Sequence, residues 1–167
     1  MAVLKVVQFP HAVLKTKTAP VARVTEEDRK LVKDMIDTMY AKQGVGLAAN
    51  QVGIGKQIFV ASPDQVRGQE LVFINPRIVR KQGTIKEFEG CLSVFECYEP
   101  VKRAKRVWLR ATTLEGNTVE IKAEGLLSRI FQHETDHLNG FLFIDRLGFL
   151  KTRTVKRRLL AKKKRRQ

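Results

Sequence analysis

At 167 residues and 19.1 kDa, with 43% hydrophobic and 29% charged residues, the chain has the length and composition of one folded domain. No apolar run approaches the ~20 residues of a membrane span, and the opening residues 1–7 are too short and too soon interrupted for a secretory signal. The net charge of +15 is uneven: residues 151–167 hold ten Lys or Arg and no acid, so the other 150 residues carry only +5.

Two cysteines six positions apart do not form a disulfide scaffold, so the expected setting is a reducing cytoplasm, with Cys91 and Cys97 available as thiols or ligands. The basic tail points to a polyanionic partner, RNA before DNA or a membrane surface. The plain alternative is a solvated helix end, against which stands the mutual repulsion of ten like charges.

In chain order, Thr25 with Glu26, Glu27 and Asp28 reads as an N-cap and an acidic first turn. Leu31, Val32, Met35, Ile36 and Met39 then mark one face of a helix running to about Tyr40. The glycine-rich stretch 44–53 lacks a following Lys-Ser or Lys-Thr, which excludes a phosphate-binding loop. Strand-like runs follow at 57–61, 71–75, 106–112 and 118–123, the last two joined as a hairpin by Glu115-Gly116-Asn117. Cys97 falls in a stretch with the look of a surface loop. Gly125 precedes a second helix, with Leu126, Leu127, Ile130, Phe131 and Leu138 expected on its buried side and Gly140 as its stop. A third helix is expected from near Leu150 into the tail, with Val155, Leu159 and Leu160 as a weak apolar stripe. The fold class is α+β: antiparallel β-sheets packed around a central metal-binding helix, with a C-terminal helix.

The metal-binding reading comes from His133-Glu134-Thr135-Asp136-His137. Side chains at i and i+4 share a helix face, so both imidazoles can grip one ion while Glu134 stands beside it as a base. A catalytic site of this kind wants three protein ligands and one open position. The chain has three histidines, and the third, His11, lies near the N-terminus. The zinc-protease pattern with a third histidine after Gly-X-X would place it at 143, which is Phe143. A thiolate is the alternative, and both cysteines are candidates. Gly90 lets the backbone approach the ion closely, which favours Cys91 over Cys97.

Three blocks in order, Gly44-Val45-Gly46-Leu47-Ala48-Ala49-Asn50-Gln51, Glu89-Gly90-Cys91-Leu92-Ser93 and Gln132-His133-Glu134-Thr135-Asp136-His137, resemble the peptide deformylases. The resemblance extends from Gln8-Phe9-Pro10 to Ile144-Asp145-Arg146-Leu147. It implies hydrolysis of the formyl group from the formyl-methionine of nascent peptides, on one divalent ion held by Cys91, His133 and His137. Ferrous iron is the implied metal, with zinc, nickel or cobalt able to substitute. Glu134 is implied as general base, with the Gln51 amide and the Leu92 backbone N–H as donors to the oxyanion. Val45, Gly46, Glu89 and Ile130 are implied to line the methionine pocket or support the site, and Glu89 and Arg103 to pair, buried or exposed. Residues 1–150 would be the catalytic domain and 151–167 a basic helix that docks on the ribosome. The expected enzyme is a cytoplasmic monomer. Phe95 stands where the family carries proline, which frees the backbone and adds apolar surface beside the substrate groove. Two rivals remain on the sequence: a peptidase acting on internal bonds, and a non-catalytic ribosome- or RNA-binding relative.

Overall fold

The computed structural model describes residues 2–165; Met1 and the last two tail residues, Arg166 and Gln167, lie outside the described residues. The first helix, α1 (Glu26–Ala41), opens on a capping box in which the Thr25 hydroxyl accepts from the Asp28 N–H and the Asp28 carboxylate accepts from the Thr25 N–H. Seven strands follow: β1 (Gly46–Ala48), β2 (Ile58–Ala61), β3 (Leu71–Gln82), β4 (Ile85–Cys91), β5 (Val94–Arg103), β6 (Arg106–Thr112) and β7 (Thr118–Glu124). Five make an antiparallel sheet in the order β1-β2-β3-β6-β7, and β4 and β5 form a separate two-stranded ribbon. The metal-motif helix, α2 (Gly125–Leu138), leaves β7 directly, and α3 (Phe149–Arg165) closes the chain.

The run Ile58-Phe59-Val60-Ala61 is apolar at every position because helices cover both faces of the sheet. Ile58 and Val60 pack with Met35 and Met39 of α1, whereas Phe59 and Ala61 pack with Ile130 and Phe131 of α2. Successive strand side chains point to opposite faces, so α1 and α2 lie on opposite sides. The Phe131 ring meets Phe73 edge-on at 5.0 Å and Phe59 at 6.0 Å. Burying one such ring contributes about 1.5–3 kcal/mol, which seats α2 on the sheet at the turn that carries the histidines.

Four details differ from the sequence reading. The strand expected to stop at residue 75 continues to Gln82, because Asn75 (φ 52°) and Pro76 form an irregularity in the ladder and do not end it. The Asn75 amide holds that irregularity by bonding both the N–H and the carbonyl of Val21. The β4–β5 ribbon is not among the expected elements: β4 has three exposed residues in a row and β5 contains Pro100, so neither strand shows a clean alternation. Cys97 accordingly lies on β5 and is buried, not in a surface loop, since α3 covers it. Leu126 and Leu160 are each 41% exposed and belong to no buried stripe.

Val155 and Leu159 dock α3 into a cluster with Val94, Cys97 and Val101 of β5 and with Leu142, Phe143 and Ile144. Four of the tail cations also meet acids of the body: Lys151 and Arg158 on Glu99, Lys156 on Asp145, and Lys162 on Glu96. Surface pairs of this kind contribute about 0–1 kcal/mol each, so the apolar contact carries the docking and the pairs orient it. Arg153, Arg157, Lys163, Lys164 and Arg165 are exposed and make no ion pair among the described residues.

Candidate metal centre

Cys91 ends β4 at the tight turn into β5, and His133 and His137 stand one turn apart on α2. The Cys91 Sγ lies 3.2 Å from His137 Nε2, which lies 3.2 Å from His133 Nε2, and all three donor atoms fall within 4.8 Å of one another. Ligands sharing a tetrahedral ion at ordinary bond lengths sit roughly 3.4–3.6 Å apart, so the three atoms fit one divalent ion with little adjustment. The soft thiolate and two imidazoles suit zinc and iron alike. Cys97 is not part of this group.

Each donor is held from behind. The Glu89 carboxylate meets His133 Nδ1 at 3.0 Å and takes both arms of the Arg103 guanidinium, at 2.8 and 2.9 Å. Arg103 in turn reaches Asp136 at 2.6 Å, and Arg146 grips the same Asp136 from outside at 2.5 and 3.0 Å. Burial opposes charge on Glu89, yet the bonds from Arg103 and His133 prevail and hold its carboxyl down at about 2. Burial likewise opposes charge on His133, but its bonds to Cys91 and Glu89 outweigh it and raise the imidazole. Burial, with the His133 charge beside it, pushes His137 well below its ordinary value, which favours the neutral imidazole a metal needs. The His137 carbonyl accepts from Asn50 Nδ2 at 2.5 Å. The Gln51 Oε1 accepts from the Ala48 N–H, which aims its Nε2 at Ser93 Oγ (3.2 Å) and Cys91 Sγ (3.5 Å).

Glu134 lies beside the three donors, 4% exposed, with its Oε2 buried and unpartnered. Burial pushes its carboxyl up to about 7, against the pull of His133. Space for that carboxylate comes from Gly46, where an added Cβ would stand 2.5 Å from Glu134 Oε1 and 2.9 Å from its Cδ. In front opens a cavity of about 770 Å³. Gln51, Cys91, Leu92, His133 and Glu134 line it together with the four expected substrate contacts Val45, Gly46, Glu89 and Ile130; His137 lies behind, fully buried.

The sequence profile described as Polypeptide deformylase matches residues 3–153. Peptide deformylases from Buchnera aphidicola and Neisseria gonorrhoeae are similar at 45% and 43% identity, over 99% and 98% of both chains. The chain belongs to the polypeptide deformylase family. Among solved structures, the peptide deformylase of Legionella pneumophila superimposes with a TM-score of 0.91 at 39% identity, covering 99% of this chain and 98% of that one. That of Ehrlichia chaffeensis in complex with actinonin gives 0.89 at 41% identity, covering both chains completely.

The sequence reading sets Phe95 beside the groove but misses the rest of the cavity mouth. Phe88, Phe95 and Tyr98 of the ribbon and Leu126 of α2 stand there, exposed. It also gave Gly90 an incomplete role: an added Cβ there would stand 2.5 Å from Tyr98 Cε1, so the glycine seats the Tyr98 ring beside Cys91. No local pattern marks Phe88 or Tyr98, since Phe88 stands between Glu87 and Glu89 in the chain and Tyr98 beside Glu99.

Arg103 joins the ribbon to α2, so Arg103→Met leaves the buried Glu89 and the partly buried Asp136 without their common cation. Urea unfolding at neutral pH should show a loss of about 3–5 kcal/mol; a loss below 1 kcal/mol rejects this role. Because Glu89 titrates near 2 in the fold against an ordinary 4.5, its contribution is complete above about 4.5 and fades as pH falls toward 2. The variant should lack that acid-side fall in stability.

Proposed function

We infer that this chain is a metal-dependent hydrolase that removes the formyl group from the N-terminal formyl-methionine of newly made polypeptides, releasing formate. The observation that carries the reading is Glu134: a buried carboxylate oxygen without a partner, beside three donors that fit one ion, at the floor of a cavity in a chain of the deformylase family. Cys91, His133 and His137 would hold the ion. When bound there, a divalent metal supplies Lewis-acid activation of water and polarises the formyl oxygen.

Glu134 takes the proton of the attacking water and delivers it to the amine nitrogen as the C–N bond breaks. Its raised carboxyl pKa suits a group that both accepts and returns a proton near neutrality. The Gln51 Nε2, fixed through the Ala48 N–H, and the Leu92 backbone N–H are proposed to meet the oxygen on which negative charge gathers; losing one such donor costs roughly 10²–10³ in rate. Val45, Gly46, Glu89 and Ile130 are proposed as walls or supports of the methionine pocket. Ferrous iron is the proposed metal, on the resemblance, since the donor set also suits zinc and admits nickel or cobalt. Residues 1–150 would form the catalytic domain and 151–167 a docking arm for the ribosome, in a monomer acting in the cytoplasm. The convergence of Cys91, His133, His137, Glu134 and Gln51 supports the catalytic reading, and no observation favours the non-catalytic alternative.

Formate release from formyl-Met-Ala-Ser, by protein prepared anaerobically with ferrous iron, tests the reading directly. Chelation should abolish turnover and iron should restore it. Glu134→Ala should lower kcat by roughly 10²–10⁴, and Gly46→Ala, which displaces the same carboxylate, by roughly 10–100-fold. A Glu134→Ala enzyme as fast as the parent would discard the base.

Phe95 stands 60% exposed at the cavity mouth, where the downstream peptide would leave. Phe95→Pro should change KM among formyl-Met peptides varied at the second and third residues, with kcat little altered. An identical ranking for the two proteins would sink the selectivity assignment. For the docking arm, glutamates at Arg153, Arg157, Lys163 and Lys164 should weaken ribosome co-sedimentation and flatten its salt dependence; unchanged co-sedimentation would count against it.

A further inference from the structure

A second cavity, of about 730 Å³, lies on the far side of α2, lined by Gln132, Thr135 and Asp136 from the helix. Its charge is one-sided. Lys17 from the loop before α1, Arg77 and Lys81 from β3, and Lys102 from β5 converge on it. None of the four makes an ion pair among the described residues, and all four side chains are exposed. Asp136 is the only acid in the lining, and it is already saturated by Arg103 and Arg146. Lys102 also stands directly opposite Lys86 across the ribbon, a like-charge placement that disfavours the pair. Thr135, in the same lining, keeps a buried hydroxyl oxygen without a partner.

Four uncompensated cations drawn into one concavity from three separate chain segments raise the local potential and concentrate anions. A single carboxylate would leave most of that charge unmatched. Ammonium groups bind phosphate oxygens as point charges and a guanidinium as a fork. The volume falls in the range of ordinary ligand pockets. We propose that this cavity binds a ligand carrying several phosphate groups, held by Lys17, Arg77, Lys81 and Lys102 at the back of the metal-binding helix. The phosphates can belong to a free polyphosphate or nucleotide, or to the backbone of an RNA. The site is separate from the substrate cavity and from α3.

The test is isothermal titration of the full chain with inorganic tripolyphosphate and, separately, with a short oligouridylate. Substituting Lys17, Arg77, Lys81 and Lys102 by Ala removes the cavity charges; a matched variant replaces Arg153, Arg157, Lys163 and Lys164 on α3. All eight side chains are exposed, and a thermal unfolding midpoint is measured for each variant as the check that it folds. The pair Lys81→Ala/Lys102→Ala gives an intermediate loss should the quadruple variant fold poorly. Tripolyphosphate should bind the parent saturably, about tenfold or more weaker in the cavity variant and within about twofold in the α3 variant. If the cavity variant also binds oligouridylate more weakly, with a salt slope flatter by about 3, an RNA backbone is the source; if oligouridylate is unaffected, a free polyphosphate is. The proposal is overturned if the parent binds neither probe, if the cavity variant binds both as the parent does, or if the α3 variant loses tripolyphosphate equally.

Discussion

The ribbon of β4 and β5 shares no strand pairing with the main sheet, yet it delivers one of the three candidate metal donors. Something other than a backbone ladder must therefore fix its distance from α2. The buried Arg103 guanidinium does this. It begins at the end of β5, takes both oxygens of Glu89 on β4, and bonds Asp136 on α2 with its remaining arm. The Gln132 amide adds a second tie to the backbone of Ala104. An arginine is needed because three carboxylate contacts in different directions require a planar fork; a lysine offers one point charge. Burying these charges is tolerable only while each is paired, so the same desolvation that makes the arrangement costly also makes it specific.

From that tie the order of the site follows outward. Glu89 orients the His133 ring through Nδ1, leaving Nε2 to face Cys91 and His137. Second contacts of this type fix the tautomer and direction of a ligating imidazole. The α2 helix then works with two faces. Ile130, Phe131 and Leu138 hold it to the sheet, whereas Gln132 and Asp136 hold the ribbon, and the donors lie between. Glu134 differs from Glu89 in one respect, the absence of a cation within bonding reach. Two buried carboxylates of the same site are thereby driven in opposite directions, Glu134 to about 7 and Glu89 to about 2. One is a fixed anion beside a ring, and the other has the raised value that the proposed proton transfer asks of it.

How much of this could be read from the chain depends on how local each signal is. The His133–His137 spacing, the Thr25 cap and the 106–124 hairpin are legible because their causes lie within a few residues. The β4–β5 ribbon is not legible, because its inner positions are covered by Leu142, Phe143 and Ile144 and by Val155 and Leu159 of α3, all distant in sequence. Cys97 was misplaced for the same reason. Cys91 was reachable through its neighbouring glycine, but the physical role of that glycine, seating Tyr98, involves a residue eight positions on that no pattern connects to it. Likewise the lysines at 17, 81 and 102 look like ordinary surface charge until the fold gathers them.

The distribution of charge separates what builds the fold from what the surface presents. Acids at 96, 99 and 145 meet four of the nine cations of α3, and an apolar contact of two side chains carries the docking. The substrate cavity carries both signs, with Glu89, Glu96 and Glu134 against Lys5, Lys42 and Arg129, and so exerts no strong pull on a neutral formyl group. The rear cavity has no such balance. Exposed lysines are cheaply solvated, so their convergence costs the fold little. Nor does it add stability, because like charges near one another only repel. A feature that packing does not require and electrostatics disfavours is accounted for when an anion enters it, since each phosphate contact then converts repulsion into attraction and releases counterions.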